Sequence, residues 1–294
     1  MFLSRFLVTS FILALYPSLG AASDPFLFQN GDRVVLIGST LIEREQKYGD
    51  WELLLTLKNS GKQVSFRNLG WSGDTVHAEA RGRFDYANPS KCLEQLVSLT
   101  KELKPSVIVI CYGHNESFDG KAGVPKFIAG MNKLLDELKP TKARIVLMSP
   151  TAFGPAPALA DPTQRNADLS LYRDALRDIA ERRHLEFFDL FDRAGEPLTE
   201  NGVHLTAAGY RAVAEKLGGV FPPGIEPLRQ AIIAKNRLFF HRWRPQNETY
   251  LFGFRKHEQG KNAAEVAQFD PLVAEAEKKI GELLAAINRP ANSP

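Results

Sequence analysis

The sequence alternates short apolar runs with longer stretches whose apolar residues recur at helical spacing. The clearest run, VIVIC at residues 107–111, is continuous and β-branched, as in strands covered on both faces of a parallel sheet. The other predicted strands span residues 34–37, 64–69, 145–148 and 185–190, and the predicted helices span residues 41–57, 92–103, 124–138, 167–183 and 205–217. This alternation predicts an α/β three-layer sandwich with a mostly parallel sheet.

The alternation ends at the sequence FPPG, residues 221–224. Beyond it we expect a helix over residues 225–240, an irregular stretch over 241–268 and a second helix over 271–287. The sequence therefore predicts an α/β domain at residues 27–220 and a helical and irregular C-terminal extension, residues 221–294, that packs on the domain.

The N-terminal residues 1–20 read MFLSRFLVTSFILALYPSLG, in which Arg5 is the only charge and small residues follow an apolar run. This order is typical of a secretory signal peptide and predicts export to the periplasm or the extracellular space. An uncleaved anchor is the alternative, but the apolar run is shorter than the roughly 20 residues that span a bilayer. No other segment is apolar enough, so we expect no stable membrane span.

The charge balance argues against a nucleic-acid partner. Lys and Arg number 37 and Asp and Glu number 34, a formal net charge of +3, whereas a dedicated nucleic-acid binder concentrates far more positive charge. The sequence has neither a Gly-x-Gly-x-x-Gly nor a P-loop pattern, and the spacing of His241, His257 and Glu258 does not match a metal site. We therefore expect no cofactor and no metal.

The chain has two cysteines, Cys92 and Cys111. Export permits a disulfide. However, Cys92 falls in a predicted helix and Cys111 ends a predicted strand, so we expect two buried thiols rather than a bridge.

Polar turns that contain glycine follow the predicted strands or precede the last predicted helix of the α/β domain. Their sequences are GSTLIE at 38–43, NLGWSGDT at 68–75, YGHNE at 112–116 and NGVHLT at 201–206. In open parallel sheets, functional groups gather at the carboxyl ends of the strands, so we expect these turns to share one rim. Together they supply a hydroxyl, an imidazole and amide donors, which is the set that acyl transfer needs.

The roles follow from these residue types. Thr40 or Ser39 is the candidate nucleophile, and His204 is the candidate base. The backbone N–H of Gly73 and the side-chain amide of Asn115 are the candidate oxyanion donors, with the backbone N–H of Thr40 as a third.

In order and spacing, the four turns resemble the motif blocks of the SGNH (GDSL-like) hydrolases over about residues 31–218. NLGWSGDT looks like the block that supplies the oxyanion glycine, and GHNE looks like the Gly-x-Asn-Asp/Glu block that supplies the oxyanion asparagine. NGVHLT looks like the Asp-x-x-His block that supplies the base. The resemblance implies a flavodoxin-like sandwich with esterase activity and no required metal.

The chain departs from the family pattern at two positions. The first block is usually Gly-Asp-Ser-x-Thr, but Thr40 stands at the nucleophile position and Ser39 at the Asp position. Asn201 stands at the triad Asp position, and in a serine protease this exchange costs about 10⁴ in rate because it favours the wrong imidazole tautomer. Two interpretations stay open: one of the two hydroxyls is the nucleophile, or both only cap the next helix.

The C-terminal stretch 241–269 interleaves basic, amide and aromatic residues, a composition that suits a carbohydrate-binding rim or a lid. The candidate substrate-binding residues are Arg244, Asn247, Glu248 and Arg255. One alternative is an extension that only docks on the sandwich. Another is that Glu248 or Glu258 supplies the acid missing at Asn201.

The sequence thus predicts an exported carboxylic ester hydrolase that acts on a small-molecule or polysaccharide ester, with deacetylation of carbohydrate as a specific case. The alternative is a catalytically silent protein of the same fold that binds carbohydrate or another extracellular partner.

Overall fold

The computed structural model describes residues 24–82, 89–157, 160–193, 198–245, 247–258 and 262–289. The predicted signal peptide, residues 1–20, lies outside the described residues. None of the helices in these ranges is both long and apolar enough to cross a bilayer.

A five-stranded parallel sheet forms the centre of the fold, with strand order β2-β1-β3-β4-β5. Its strands are β1 (Arg33–Gly38), β2 (Ser65–Asn68), β3 (Val107–Cys111), β4 (Arg144–Met148) and β5 (Glu186–Phe188). All five residues of the central strand β3 are buried, as its continuous apolar run predicts. The predicted α/β sandwich with a parallel, flavodoxin-like sheet is confirmed.

Helices cover both faces of the sheet. On one face, alternate strand residues such as Val35 and Ile37 pack against α3 (Pro89–Glu102), α4 (Gly120–Leu138) and α5 (Thr163–Arg183). On the other face, Val34 and Leu36 pack against α1 (Thr40–Tyr48), α2 (Asp50–Lys58) and α7 (Ala207–Lys216). A short helix α6 (Leu190–Arg193) follows β5. Because successive side chains of a strand point to opposite faces of the sheet, each strand contributes residues to two separate apolar cores.

One predicted helix is wrong: residues 41–57 form two helices rather than one. Gly49 ends α1 with φ of 71°, a left-handed conformation that glycine adopts without a Cβ penalty. The carboxylate of Glu45 then accepts hydrogen bonds from the backbone N–H groups of Trp51 (2.8 Å) and Glu52 (3.2 Å) at the start of α2. Apolar periodicity continues through the break, which is why the sequence pattern did not reveal it.

The two cysteines lie on opposite faces of the sheet, Cys92 in one core and Cys111 in the other. Both are buried and no disulfide joins them, as the sequence predicts. Burial raises the pKa of the Cys111 thiol, so the thiol stays protonated.

The C-terminal extension is helical. It contains α8 (Glu226–Trp243), α9 (Glu248–Leu251), α10 (Ala263–Val266) and α11 (Phe269–Ile287). The long helices α8 and α11 pack against each other and, through Ile232 and Leu284, against Leu53 of α2. The extension is thereby joined to the sandwich by apolar contacts.

A buried ion pair fixes α8 against α2. Lys235 Nζ lies 2.7 Å from Glu52 Oε1 and donates to the backbone oxygen of Phe66 in β2 at 3.1 Å. Asn236 Nδ2 donates to Glu52 Oε2 at 3.0 Å. Lys235 is 1% exposed, and burial lowers its pKa although Glu52 opposes that effect.

Because each charge is buried, removing one partner is costly. We expect Lys235→Met to lower the free energy of unfolding by about 3–5 kcal/mol, since the Glu52 carboxylate is left without its cation. Denaturant unfolding followed by circular dichroism measures this loss. The double variant Lys235→Met/Glu52→Gln is the control and should recover most of it; equal stability of the single variant and the wild type would contradict the argument.

Candidate active site

The candidate nucleophiles lie where β1 passes into α1. Gly38 ends β1 beside Cys111 of β3, and a Cβ at Gly38 would lie only 2.4 Å from the Cys111 carbonyl oxygen. Ser39 follows and is 4% exposed. Thr40 begins α1, and its Oγ1 accepts a hydrogen bond from the backbone N–H of Gly73 at 2.9 Å.

The loop of residues 70–74, here called the oxyanion loop, packs directly on α1. A Cβ at Gly70 would lie 2.3 Å from the backbone nitrogen of Glu43, so only glycine permits this approach. Gly73 adopts φ of 74°. Asn115 Nδ2 donates to the backbone oxygen of Asp74 at 2.6 Å. Both predicted oxyanion donors are therefore next to Thr40 or to the loop that contacts it.

Buried carboxylates hold these loops, a role that the sequence pattern did not indicate. Asp74 Oδ2 accepts from Arg81 Nε at 2.6 Å and from the Tyr112 hydroxyl at 2.9 Å. Burial raises the pKa of Asp74, and the Arg81 cation opposes that shift. Both carboxylate oxygens of Glu116 accept backbone N–H groups, from Val76 (2.7 Å) and Gly113 (2.9 Å). Burial raises the pKa of Glu116 to about 7.

The predicted base lies in the loop before α7. The Oδ1 of Asn201 accepts the backbone N–H groups of His204 (2.9 Å) and Val203 (3.2 Å). These two bonds fix the orientation of the amide, because Nδ2 in the same place would face two other donors. Nδ2 of Asn201 therefore faces His204 Nδ1 at 3.3 Å. An amide nitrogen donates, so this contact favours the tautomer with its proton on Nε2.

Electrostatics keep His204 neutral near pH 7. Partial burial lowers its pKa below the ordinary value of 6.5 and the Arg44 cation lowers it further, while Glu200 raises it. Arg44 Nη2 itself pairs with Glu200 Oε1 at 2.8 Å. This ion pair joins α1, which carries Thr40, to the loop that carries His204.

One small cleft of about 50 Å³ is lined by four of the six predicted catalytic and oxyanion residues. It is lined by Ser39, Thr40, Leu41, Arg44, His114, Asn115, Thr151, Val203, His204, Leu205 and Tyr210. Thr40, His204 and Asn115 therefore face one space, as a hydroxyl, a base and an oxyanion donor require.

Three polar residues of the cleft were missed by sequence reasoning: Arg44, His114 and Thr151. His114 lies inside the quoted motif GHNE, and Arg44 lies one helical turn after Thr40, so both were within reach of the sequence pattern. Burial lowers the pKa of His114 to about 4, and His204, which is protonated at such a low pH, lowers it as well. Its ring packs on Phe153 with centroids 4.2 Å apart, so His114 is a neutral wall of the cleft.

The candidate residues of the extension are not among the residues that line this cleft. Arg244 pairs with Glu43 Oε1 at 2.8 Å and stacks on Trp71. Arg255 pairs with Glu258, and Asn247 lies in an exposed turn with φ of 61°. The side chain of Glu248 lies outside the described residues. Asn201 Nδ2 lies 3.3 Å from Nδ1 of His204, and Glu258 pairs with Arg255 instead.

No group of three or more His, Cys, Asp and Glu side chains that could hold a metal ion occurs among the residues that the structure describes. The chemistry available in the cleft is that of a hydroxyl, two imidazoles, amide donors and a guanidinium.

Solved esterase structures resemble this chain. The native aryl esterase of M. smegmatis is 16% identical, with a TM-score of 0.50, and the match covers 63% of this chain and 96% of that chain. An acetyl-xylooligosaccharide esterase from Geobacillus is 19% identical over 66% and 97%, with a TM-score of 0.49. A carbohydrate acetylesterase family member from Sinorhizobium meliloti is 16% identical over 69% and 99%, also with a TM-score of 0.49.

At these identities the likeness shows the fold alone. No curated protein matches the sequence significantly. The sequence profile of the GDSL-like lipase/acylhydrolase family, by contrast, matches residues 34–212. This stretch contains β2 to β5, all of β1 except Arg33, and every residue that lines the cleft. The chain belongs to the GDSL-like lipase/acylhydrolase family, a family of ester hydrolases.

Proposed function

We propose that this protein is an exported acetyl-ester hydrolase in which Thr40 is the nucleophile, His204 the base, and Gly73 with Asn115 the oxyanion donors. The observation that carries the proposal is the 2.9 Å hydrogen bond from the Gly73 N–H to Thr40 Oγ1, in a cleft that His204 and Asn115 also line. It supports Thr40 over the more buried Ser39. The export rests on the sequence of residues 1–20.

The reaction is acyl transfer in two halves. Thr40 Oγ1 attacks the ester carbonyl carbon, and its proton passes to His204 Nε2 when the imidazole carries its own proton on Nδ1, the tautomer that the Asn201 contact disfavours. The carbonyl oxygen becomes an oxyanion held by Gly73 N–H and Asn115 Nδ2. Collapse of this intermediate breaks the bond to the alcohol, which leaves with the proton from His204. Water then releases the acid from Thr40 by the same steps.

The size of the cleft supports a short acyl group. One water needs about 10–15 Å³ of cavity volume, so a cleft of about 50 Å³ has room for about three to five non-hydrogen atoms. An acetyl group, which has three, fits this volume, whereas a butyryl group, which has five, reaches its upper limit. The predicted export supports an O-acetylated carbohydrate as the natural substrate, with a carbohydrate hydroxyl as the alcohol that leaves.

A second candidate function is favoured by the contact between Asn201 Nδ2 and His204 Nδ1. A proton on Nε2 prevents that nitrogen from accepting the proton of Thr40, so the same cleft is then a binding site for an ester or carbohydrate without turnover. Hydrolysis assays separate the two candidates.

The first test is hydrolysis of p-nitrophenyl acetate and butyrate by the protein without residues 1–20. We expect turnover of acetate, slower turnover of butyrate, and a loss of about 10³-fold or more in Thr40→Ala and His204→Ala, because each removes a group that reacts. Ser39→Ala is the matched control and should keep most of the activity. If Ser39→Ala is the inactive variant, Thr40 is not the nucleophile; if no variant differs from the buffer rate, the silent candidate is favoured.

The second test concerns Asn201. Asn201→Asp replaces the amide donor by a carboxylate that accepts from Nδ1–H, so Nε2 becomes free to act as base. We expect kcat for p-nitrophenyl acetate to rise at least about tenfold, since the opposite exchange in a serine protease costs about 10⁴.

The gain must depend on the imidazole. Asn201→Asp in a His204→Ala background should therefore give no increase, which excludes a general effect of added negative charge. Unchanged kcat in Asn201→Asp alone would show that the tautomer of His204 does not limit the reaction.

The pH profile gives a third test. His204 must be neutral to act as base and its pKa lies below 6.5, so kcat/KM should be constant near pH 7 and fall as the pH drops below that pKa. Glu200→Gln removes a carboxylate that raises this pKa, and we expect it to move the acid limb to lower pH. Glu258→Gln is the control and should leave the limb in place; a limb that Glu200→Gln shifts upward would contradict the assignment.

A further inference from the structure

The oxyanion loop contacts residues within the stretch 34–212 that matches the family and also residues beyond it. The backbone N–H of Trp71 donates to the Gly38 carbonyl at 3.0 Å, and Arg81 lies near the indole with its Cζ 5.5 Å from the ring centroid. Arg244 lies over the same indole, with its Cζ 3.4 Å from the centroid. Two guanidinium groups therefore contact Trp71, and one of them comes from the C-terminal extension.

Arg244 also reaches the next residue of the loop through Glu43. Arg244 Nη1 donates to Glu43 Oε1 at 2.8 Å, and the other oxygen of Glu43 accepts the backbone N–H of Ser72. Ser72 immediately precedes Gly73, whose N–H contacts Thr40. Two hydrogen bonds and one peptide bond therefore lead from Arg244 to the amide that is the candidate oxyanion donor.

The setting makes these contacts stronger than a surface ion pair. The side chains of Arg244 and Glu43 are 21% and 16% exposed, and Trp71 is 9% exposed. Charge-assisted hydrogen bonds and cation–π contacts gain strength when water is excluded. Arginine suits both at once, because its planar group stacks on the ring while its edge donates to the carboxylate.

We propose that Arg244 is a positioning residue for hydrolysis: it holds Trp71 and Glu43 so that the Gly73 N–H stays aimed at the reacting oxygen. The inference rests on the proposed function for its catalytic part. It makes the extension part of the active-site support, although Arg244 lies beyond residues 34–212 that match the family.

The substitution Arg244→Gln is suited to test this without unfolding the extension. α8 keeps its apolar anchors Ile232 and Phe239 and its buried Lys235, so the helix has other reasons to stay in place. Arg242→Gln is the matched control. Arg242 lies two residues earlier, is 26% exposed and pairs with Asp270 of α11 at 2.9 Å rather than with the oxyanion loop.

Two measurements are made on wild type, Arg244→Gln, Arg244→Lys and Arg242→Gln. The first is steady-state kinetics with p-nitrophenyl acetate, reported as kcat and KM separately. The second is amide hydrogen–deuterium exchange of the peptide covering residues 70–75, read by mass spectrometry, which needs no activity.

We expect Arg244→Gln to lower kcat about tenfold with KM changed less than about twofold, because a displaced donor weakens transition-state rather than ground-state binding. Exchange of the 70–75 peptide should rise at least about threefold in that variant. Arg244→Lys keeps the charge beside Glu43 but loses the planar stack, so it should lie between Arg244→Gln and wild type. Arg242→Gln should match wild type in both measurements.

A rise in KM with unchanged kcat and unchanged exchange would overturn the proposal and make Arg244 a substrate contact. An equal loss in Arg242→Gln would overturn it as well, because the effect would then be general loosening of the extension. If the wild type hydrolyses no ester, the proposed function fails, and the exchange measurement alone decides whether Arg244 holds the loop.

Discussion

The contact between β1 and β3 at Gly38 is the constraint on which the site depends. The parallel register pairs Gly38 with Cys111 at the carboxyl end of both strands, and the absence of a side chain at Gly38 allows the chain to turn there at once into α1. Thr40 therefore emerges beside Asn115, which follows β3. The oxyanion loop, which follows β2, closes on the same point because Gly70 packs on the backbone of α1.

Buried charge holds the loops that the sheet brings together. Asp74, Arg81 and Tyr112 form one group of fully buried partners, and Glu116 ties the backbone at Val76 to that at Gly113. Such groups are costly to bury and are stable only with their partners in place. Their geometry is therefore narrowly specified, and the candidate oxyanion donors lie directly on the segments that these groups join.

Much of this arrangement could be predicted from local pattern. The β-branched run 107–111 predicted both ends of β3 correctly. The turns after β1 and β3 contain Thr40 and Asn115, and the turn before α7 contains His204, so the rim rule for parallel strands predicted that these residues lie close together. The break at Gly49 was not predicted because the spacing of apolar residues does not depend on the conformation of a single residue. Two further features were not predicted. The orientation of the Asn201 amide depends on local backbone geometry, and the contact of Arg244 with Trp71 joins residues that are distant in the chain. The residue types of the extension indicated a binding surface. In the structure, Arg244 and Arg255 form ion pairs with Glu43 and Glu258.

The position of Lys235 affects whether the sheets of two copies of this protein can pair with each other. An outer strand of a sheet exposes unpaired carbonyl and amide groups, which can recruit a strand from another copy. β2 is such a strand, but the ammonium of Lys235 donates a hydrogen bond to the carbonyl oxygen of Phe66, and Arg67 donates to the same oxygen. The opposite outer strand, β5, has only three residues. Within the described part of the chain, the sheet therefore offers little template for strand addition, and at β2 the extension and the sandwich both supply this protection, through Lys235 and Arg67.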